Sequence, residues 1–227
     1  MGWVTRAIEA LSILAALALL ALNLIRHAGD PALLSWRTLA ALAAGALLAD
    51  FGSGIVHWIA DTWGSESLPV LGRRFLRPFR VHHVNPRDIL RRDFIDLNGD
   101  VAMLTLPIFA AAWLVPSSSE AGRLAAVLLF AFAATALPTN QIHQWAHRPD
   151  PPDLVAWLQQ RGVILNRARH ARHHTPPFVS NYCIATGWCN RALSAMGFFP
   201  ALERGIERIT GIEPRRDERA FADNPSG

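Results

Sequence analysis

Apolar residues along this chain gather into four long runs. Ala10 to Ile25 contains no charged residue. Leu39 to Ala60 is broken only by Asp50 and His57, and both Val101 to Pro116 and Leu124 to Ile142 are charge-free. About 20 mostly apolar residues span the hydrocarbon of a bilayer as a helix, and tilt or flanking residues stretch the limits. The pattern therefore predicts four transmembrane helices, near 6–26, 38–60, 100–116 and 121–143. Trp3, Trp36, Trp58, Trp63, Trp113 and Trp145 stand near the proposed ends, where indole favours the membrane–water interface. Ala16-Leu17-Ala18 resembles a signal-peptide cleavage site, but the apolar run continues to Ile25, so the first run reads as a span.

No stretch shows the sustained alternation of a strand. The expected fold is all-α: an integral membrane four-helix bundle with a helical cytoplasmic metal-binding cap. One domain is expected over 1–212, its cap formed by 61–99 and 144–212. Glu213 to Gly227, rich in charge, proline and glycine, reads as a flexible tail.

Charge settles the orientation. The chain has 227 residues, 51% hydrophobic and 18% charged, which excludes a disordered polyelectrolyte. All 22 basic residues are arginine, and with many alanines this suggests a GC-rich bacterial genome. Four spans put the N-terminus, the 61–99 loop and the C-terminal tail on one side. That side carries Arg6, Arg73, Arg74, Arg77, Arg80, Arg87, Arg91, Arg92 and every arginine from Arg148 onward; the other carries Arg26, Arg37 and Arg123. The positive-inside rule makes the rich side cytoplasmic, as expected for a bacterial inner-membrane protein. Topology and anionic-lipid contact thus account for the basic excess, and no nucleic acid partner is called for. Arg73, Arg74, Arg77 and Arg80 can also meet a lipid phosphate, which guanidinium binds through two hydrogen bonds.

Histidine is the candidate chemistry. His27 stands alone. The other eight fall in four groups: His57 with Asp61 in HWIAD, the adjacent His82 and His83, His143 and His147 in HQWAH, and His170, His173 and His174 in HARHH. On a helix, residues three or four apart share a face, so His57 with Asp61, and His143 with His147, can each grip one metal. His170 can pair with either His173 or His174. Adjacent His82 and His83 point about 100° apart on a helix, which suits neighbouring metals. A mononuclear site uses three or four protein ligands, so nine candidates suit two ions. Imidazole accepts zinc, copper, iron or nickel, and the carboxylate leans the set towards iron. Cys183 and Cys189 rule out a disulfide framework and a cysteine-built zinc site, and are expected as free thiols.

The blocks HWIADTWGS, RPFRVHHVNP, DFIDLNGD, NQIHQWAH and HARHHTPPFVSNYCIATGWCN, in this order from about Gly45 to Arg216, resemble the Kua/CarF lipid desaturase family. The resemblance implies a membrane diiron enzyme that uses O2 and two electrons to dehydrogenate a lipid chain. Animal and myxobacterial members desaturate plasmanylethanolamine to a vinyl ether, and a plant branch desaturates an acyl chain of phosphatidylglycerol. The DTWGS and NGD runs are more similar to the former. The implied ligands of two irons are His57, Asp61, His82, His83, His143, His147, His170, His173 and His174. The implied partners are a membrane phospholipid and a cytoplasmic electron donor of cytochrome b5 or ferredoxin type.

Metal-bound imidazoles usually donate their second N–H to a carboxylate or carbonyl. Asp50, Asp96, Asn98, Asp100, Asn140 and Gln141 are candidates for that role. Asp50 stands out, because it lies inside an apolar span two turns before His57. Gly45, Gly52 and Gly54 are expected to let helices approach closely. Phe178, Tyr182, Trp188, Phe198 and Phe199 suit either a segment lying on the membrane surface or core packing. A membrane metal transporter is the alternative of another class, but it would carry ligands along a mid-membrane path rather than at one face.

Overall fold

A computed structural model describes residues 2–215, apart from the side chain of Arg73. Met1 and residues 216–227, most of the expected tail, lie outside the described residues. Among those described, regular structure is entirely helical. The long helices are α1 (Trp3–His27), α2 (Trp36–Thr62), α4 (Phe94–Leu114) and α5 (Glu120–Ala136), with α6 (Thr139–His147) directly after α5. Short helices α3 (Arg77–Val84), α7 (Asp153–Gln160), α8 (Arg167–Ala171), α9 (Asn190–Ala195) and α10 (Phe198–Thr210) complete the chain. Four segments, Trp3–His27, Trp36–Thr62, Phe94–Leu114 and Glu120–His147, are long and apolar enough to cross a membrane, which bears out the four expected spans. The third starts earlier than expected, because Asp93 caps α4 by accepting from the backbone N–H of Ile95 and Asp96 at 3.0 and 3.2 Å. The fourth is interrupted at Leu137–Pro138, where proline cannot donate to the helical ladder.

The chain divides into two compact units, residues 1–50 with 92–141 and residues 51–91 with 142–227. In the first, α1 and α5 pack on α4 around Ile13, Ala16, Ala102, Phe109 and Ala133. Arg26 closes the end of α4, donating to the carbonyls of Ala112, Trp113 and Val115, whose helix end carries partial negative charge. A Cβ on Gly45 would meet Leu128 O at 2.4 Å and Ala131 Cβ at 2.8 Å, so this glycine lets α2 touch the backbone of α5. Backbone cannot swing aside. Gly45→Val is expected to destabilise the protein by about 1–3 kcal/mol, read as a lower thermal midpoint in detergent. Gly205→Ala on α10, where nothing lies within 4 Å of the added carbon, should be neutral or stabilising. Glu9 and Asn23 in α1 are buried polar residues that pattern reading passed over; Asn23 donates to Leu19 O and Phe109 O.

The second unit takes the last turns of α2 and most of α6 together with the loop and C-terminal residues of the expected cap. The expected boundary between spans and cap therefore moves into the helices, whose ends carry His57, Asp61, His143 and His147. Trp58, Tyr182, Cys183, Leu193 and Phe199 form one core and Ile142, Ala146, Leu165 and Ile184 another. Of the aromatic set, Tyr182 and Phe199 are thus core, whereas Trp188 is exposed. Pro214 is buried, and Arg215 donates its backbone N–H to Thr62 O and its side chain to Asp61 O, tying the chain to the end of α2.

Candidate metal centre

Four local pieces deliver the ligands. The end of α2 presents His57 and Asp61 one turn apart. A π-helical turn, Gly72–Leu76, runs into α3, whose last residues include His82 and His83. Short α6 carries His143 and His147 on one face, and α8 carries His170, with His173 and His174 just beyond it.

They converge as two groups. His82, His143, His147, His170 and His174 offer five nitrogens all within 4.8 Å of one another; His57, Asp61, His83 and His173 form a second such group of four. The eight grouped histidines and Asp61 are therefore all brought together, and His27 is in neither group. The adjacent His82 and His83 separate, one to each group, as their divergent helical directions predict. The choice left open at His170 goes to His174, one turn away, while His173 joins the other group.

The tautomers follow from the hydrogen bonds. His57 Nδ1 lies 3.0 Å from Tyr182 O, and His173 Nδ1 lies 2.9 Å from Ser180 O. A carbonyl cannot donate, so each Nδ1 carries the proton and each Nε2 keeps its lone pair. Those lone pairs face Asp61 Oδ2 at 3.2 and 3.4 Å, with His83 Nε2 at 3.0 Å from the same oxygen. Bare nitrogens pointed at a carboxylate repel unless a cation sits among them. In the other group, His170 Nε2 lies 2.8 Å from His143 Nε2 and 3.1 Å from His174 Nε2. His82 is buried with neither ring nitrogen hydrogen-bonded. Leaving such buried groups unmatched costs about 1–3 kcal/mol each, and metal ions would satisfy them. The donor set therefore fits a pair of metals. Burial, reinforced by neighbouring imidazoles, holds His82, His170, His173 and His174 below the usual histidine range, hence neutral, the form that ligates.

The carbonyl partners come from 178–185, an irregular segment tied down at every step. Asn190 pairs with Cys183 twice, accepting from its N–H at 2.9 Å and donating to its carbonyl at 2.8 Å. Ile184 N–H donates to Ser53 Oγ, and Leu165 N–H donates to Ala185 O. Phe178 and Asn181 take positive φ, 58° and 61°, on either side of Ser180. Gly54 lets this segment reach α2, for its Cβ would meet Cys183 Sγ at 2.6 Å. Both cysteines are free thiols, as expected. Backbone acceptors and their clamps, Ser53 and Asn190, were missed by sequence reasoning, since a carbonyl has no residue signature.

Asp50, Asp96, Asn98, Asp100, Asn140 and Gln141 all belong to the first unit. Asp96 is gripped by Arg92 at 2.7 and 2.9 Å, Asn98 donates to Phe94 O and Gln141 Oε1, and Asn140 donates to Leu97 O. Among the headgroup candidates, Arg80 is a correction. It is buried, and its guanidinium donates to the carbonyls of Ala60, Trp63 and Gly64, closing the C-terminal end of α2. Arg77 is exposed and Arg74 half-buried; the side chain of Arg73 lies outside the described residues. A small cleft between Phe178, Tyr182, Glu203 and Arg215 reaches Asp61.

Four helices long and apolar enough to cross a membrane, with two clustered sets of imidazoles that could hold metal ions, define a class of helical membrane protein with a candidate metal centre. Comparison narrows this class. The lipid desaturase domain matches residues 46–217, and the chain is a member of that family. It is 41% identical over 213 residues to the plasmanylethanolamine desaturase of Myxococcus xanthus, covering 94% of this chain and 76% of that one. To plasmanylethanolamine desaturase 1 of Mus musculus it is 44% identical over 187 residues, covering 80% of this chain and 69% of that one. To chloroplastic fatty acid desaturase 4 of Arabidopsis thaliana it is 37% identical over 174 residues, covering 76% and 52%. No solved structure matches. The protein is thus an oxidoreductase of the lipid desaturase type, and the transporter reading falls away.

Proposed function

We propose that this protein is a plasmanylethanolamine desaturase, converting the 1-O-alkyl chain of an ether phospholipid to the vinyl ether of a plasmalogen. The observation that carries the reading is the two-group set of nine ligands in a chain more than 40% identical to relatives bearing that name. His82, His143, His147, His170 and His174 would hold one iron, and His57, Asp61, His83 and His173 the other. The diiron centre supplies the O2 chemistry that breaks an unactivated C–H bond, which side-chain acids and bases alone cannot do. The protein orients its ligands through the carbonyls of Ser180 and Tyr182 and keeps the imidazoles neutral by burial. Arg73, Arg74 and Arg77 are the remaining candidates for the lipid phosphate.

The balance is one CH2–CH2 unit, one O2, two electrons and two protons giving one C=C and two waters. The electrons come from a cytoplasmic carrier of cytochrome b5 or ferredoxin type. The arginine distribution supports cytoplasmic termini and a cytoplasmic metal site in a bacterial inner membrane.

The test is lipidomic. Expressed in cells that hold plasmanyl lipids but lack a desaturase of their own, the protein should yield species two mass units lighter whose alkyl chain is released by mild acid. Iron-loaded protein that yields none would remove the ether-lipid assignment. A new acyl double bond or hydroxyl in the same lipids would instead support the acyl-lipid reading suggested by the chloroplastic relative.

A further inference from the structure

The two ligand groups differ in how they meet solvent. In the four-ligand group His57 and His173 are fully buried, Asp61 is 6% exposed and the His83 side chain 2%. In the five-histidine group, His147 and His174 are only half-buried. The chain from Leu154 to Leu202, which carries His174, is charged in one sense, whereas the stretch after His147 also carries Asp150 and Asp153. Between Asp153 and Glu203 there is no carboxylate, while Arg161, Arg167, Arg169, Arg172 and Arg191 all fall there. Arg148 follows His147 directly, Arg172 precedes His173, and Arg167 opens α8 within electrostatic reach of His147. Arg148, Arg167 and Arg172 are all exposed. None of the three guanidiniums has a hydrogen-bond or ion-pair partner among the described residues. Three arginines of the first unit are engaged by carboxylates: Arg6 by Asp93, Arg37 by Glu120, Arg92 by Asp96.

Unpaired guanidiniums beside the most accessible ligands create a positive field where a redox partner must come closest. We infer that Arg148, Arg167 and Arg172 form the docking face for an acidic one-electron carrier protein, which delivers electrons to the metal pair through the His147 and His174 edge. The inference rests on the desaturase reading for its purpose. Two reduced carriers each give up one electron per turnover. Substrate supplies the other two electrons as two C–H bonds are broken, and two solvent protons complete the two waters formed from O2. Steering by opposite charge raises the rate of encounter and sets its salt dependence.

The test uses full-length, iron-loaded protein in nanodiscs of neutral lipid, with a plant-type ferredoxin as the acidic probe and a basic c-type cytochrome as contrast. Ferredoxin should bind, weakening steeply with salt, and the cytochrome should not. Arg167→Glu with Arg172→Glu should weaken ferredoxin binding about 10- to 100-fold and raise the KM for ferredoxin alike, with iron content unchanged. Arg208→Glu, an exposed charge on α10, should leave binding as it was. Equal binding by wild type and double variant, or no salt-dependent binding by wild type, overturns the docking face. Loss of association with anionic vesicles while ferredoxin binding persists would assign these arginines to the membrane and overturn it equally. If ferredoxin binds in this arginine-dependent way but dithionite-reduced wild type makes no vinyl ether, the desaturase reading fails and the docking face stands.

Discussion

Replacing His173 by alanine is expected to abolish vinyl-ether formation and to remove iron from the four-ligand group. His173 Nε2 reaches both Asp61 Oδ2 and His83 Nε2, at 3.4 and 3.0 Å, so it stands between the other members of its group. Its other nitrogen is committed to Ser180 O, which leaves the ring no alternative orientation. Loss of a partner that merely orients a ligand lowers affinity or activity 10- to 100-fold; loss of the ligand itself should exceed ~100-fold. The measurement pairs lipid product with metal-to-protein ratio on the same preparation. His27→Ala is the control, since His27 belongs to neither group and should retain both. Full product from His173→Ala would sink the ligand assignment.

The second large effect is expected away from the ligands. Asn190 is buried and holds both the N–H and the carbonyl of Cys183. Asn190→Ala strands two backbone groups of a residue with no exposed surface, a penalty of about 2–4 kcal/mol in total. For a chain of this size that is a fall in thermal midpoint of roughly 5–15 °C. The same residue steadies the carbonyls of Ser180 and Tyr182, which set the tautomers of His173 and His57. Iron should therefore be held about 10- to 100-fold more weakly. Leu193→Ala separates the two effects. Leu193 lies in the same core on the same helix, so its loss opens a cavity without touching the clamp. It should lower stability while leaving iron affinity intact. If both variants lose iron alike, the clamp has no special role in orienting ligands.

Much of the site was legible before any fold was known, for a physical reason. Metal ligands must be particular residue types, and helical ligands must recur at three or four residues. His57 with Asp61, His143 with His147, and His170 with His174 obey that spacing, and the divergent pair His82–His83 is divided as its geometry requires. Spans were legible for an equally direct reason: hydrocarbon admits only long apolar helices, so the four runs could hardly be anything else. Helix ends were less so. Pro138 stops one helix by lacking a single N–H, and Asp93 starts another through two backbone hydrogen bonds.

What could not be read was whatever depends on the backbone or on distant pairing. The partners of His57 and His173 are carbonyls, which every residue owns, so nothing in the composition marks Ser180 or Tyr182. Side chains with obvious polarity drew attention first, and Asp96, Asn98 and Asn140 make hydrogen bonds within the first unit. Arg80 looked like a phosphate ligand until its burial showed it closing the end of α2. The sequence by itself determined the membrane-length helices, the nine candidate ligands and the family to which the chain belongs, because solvent and coordination chemistry constrain residue type. Only the tertiary structure decided how the nine candidates divide into five and four, which tautomer His57 and His173 take, and which arginines are left facing solvent, because those follow from distances between segments far apart in the chain.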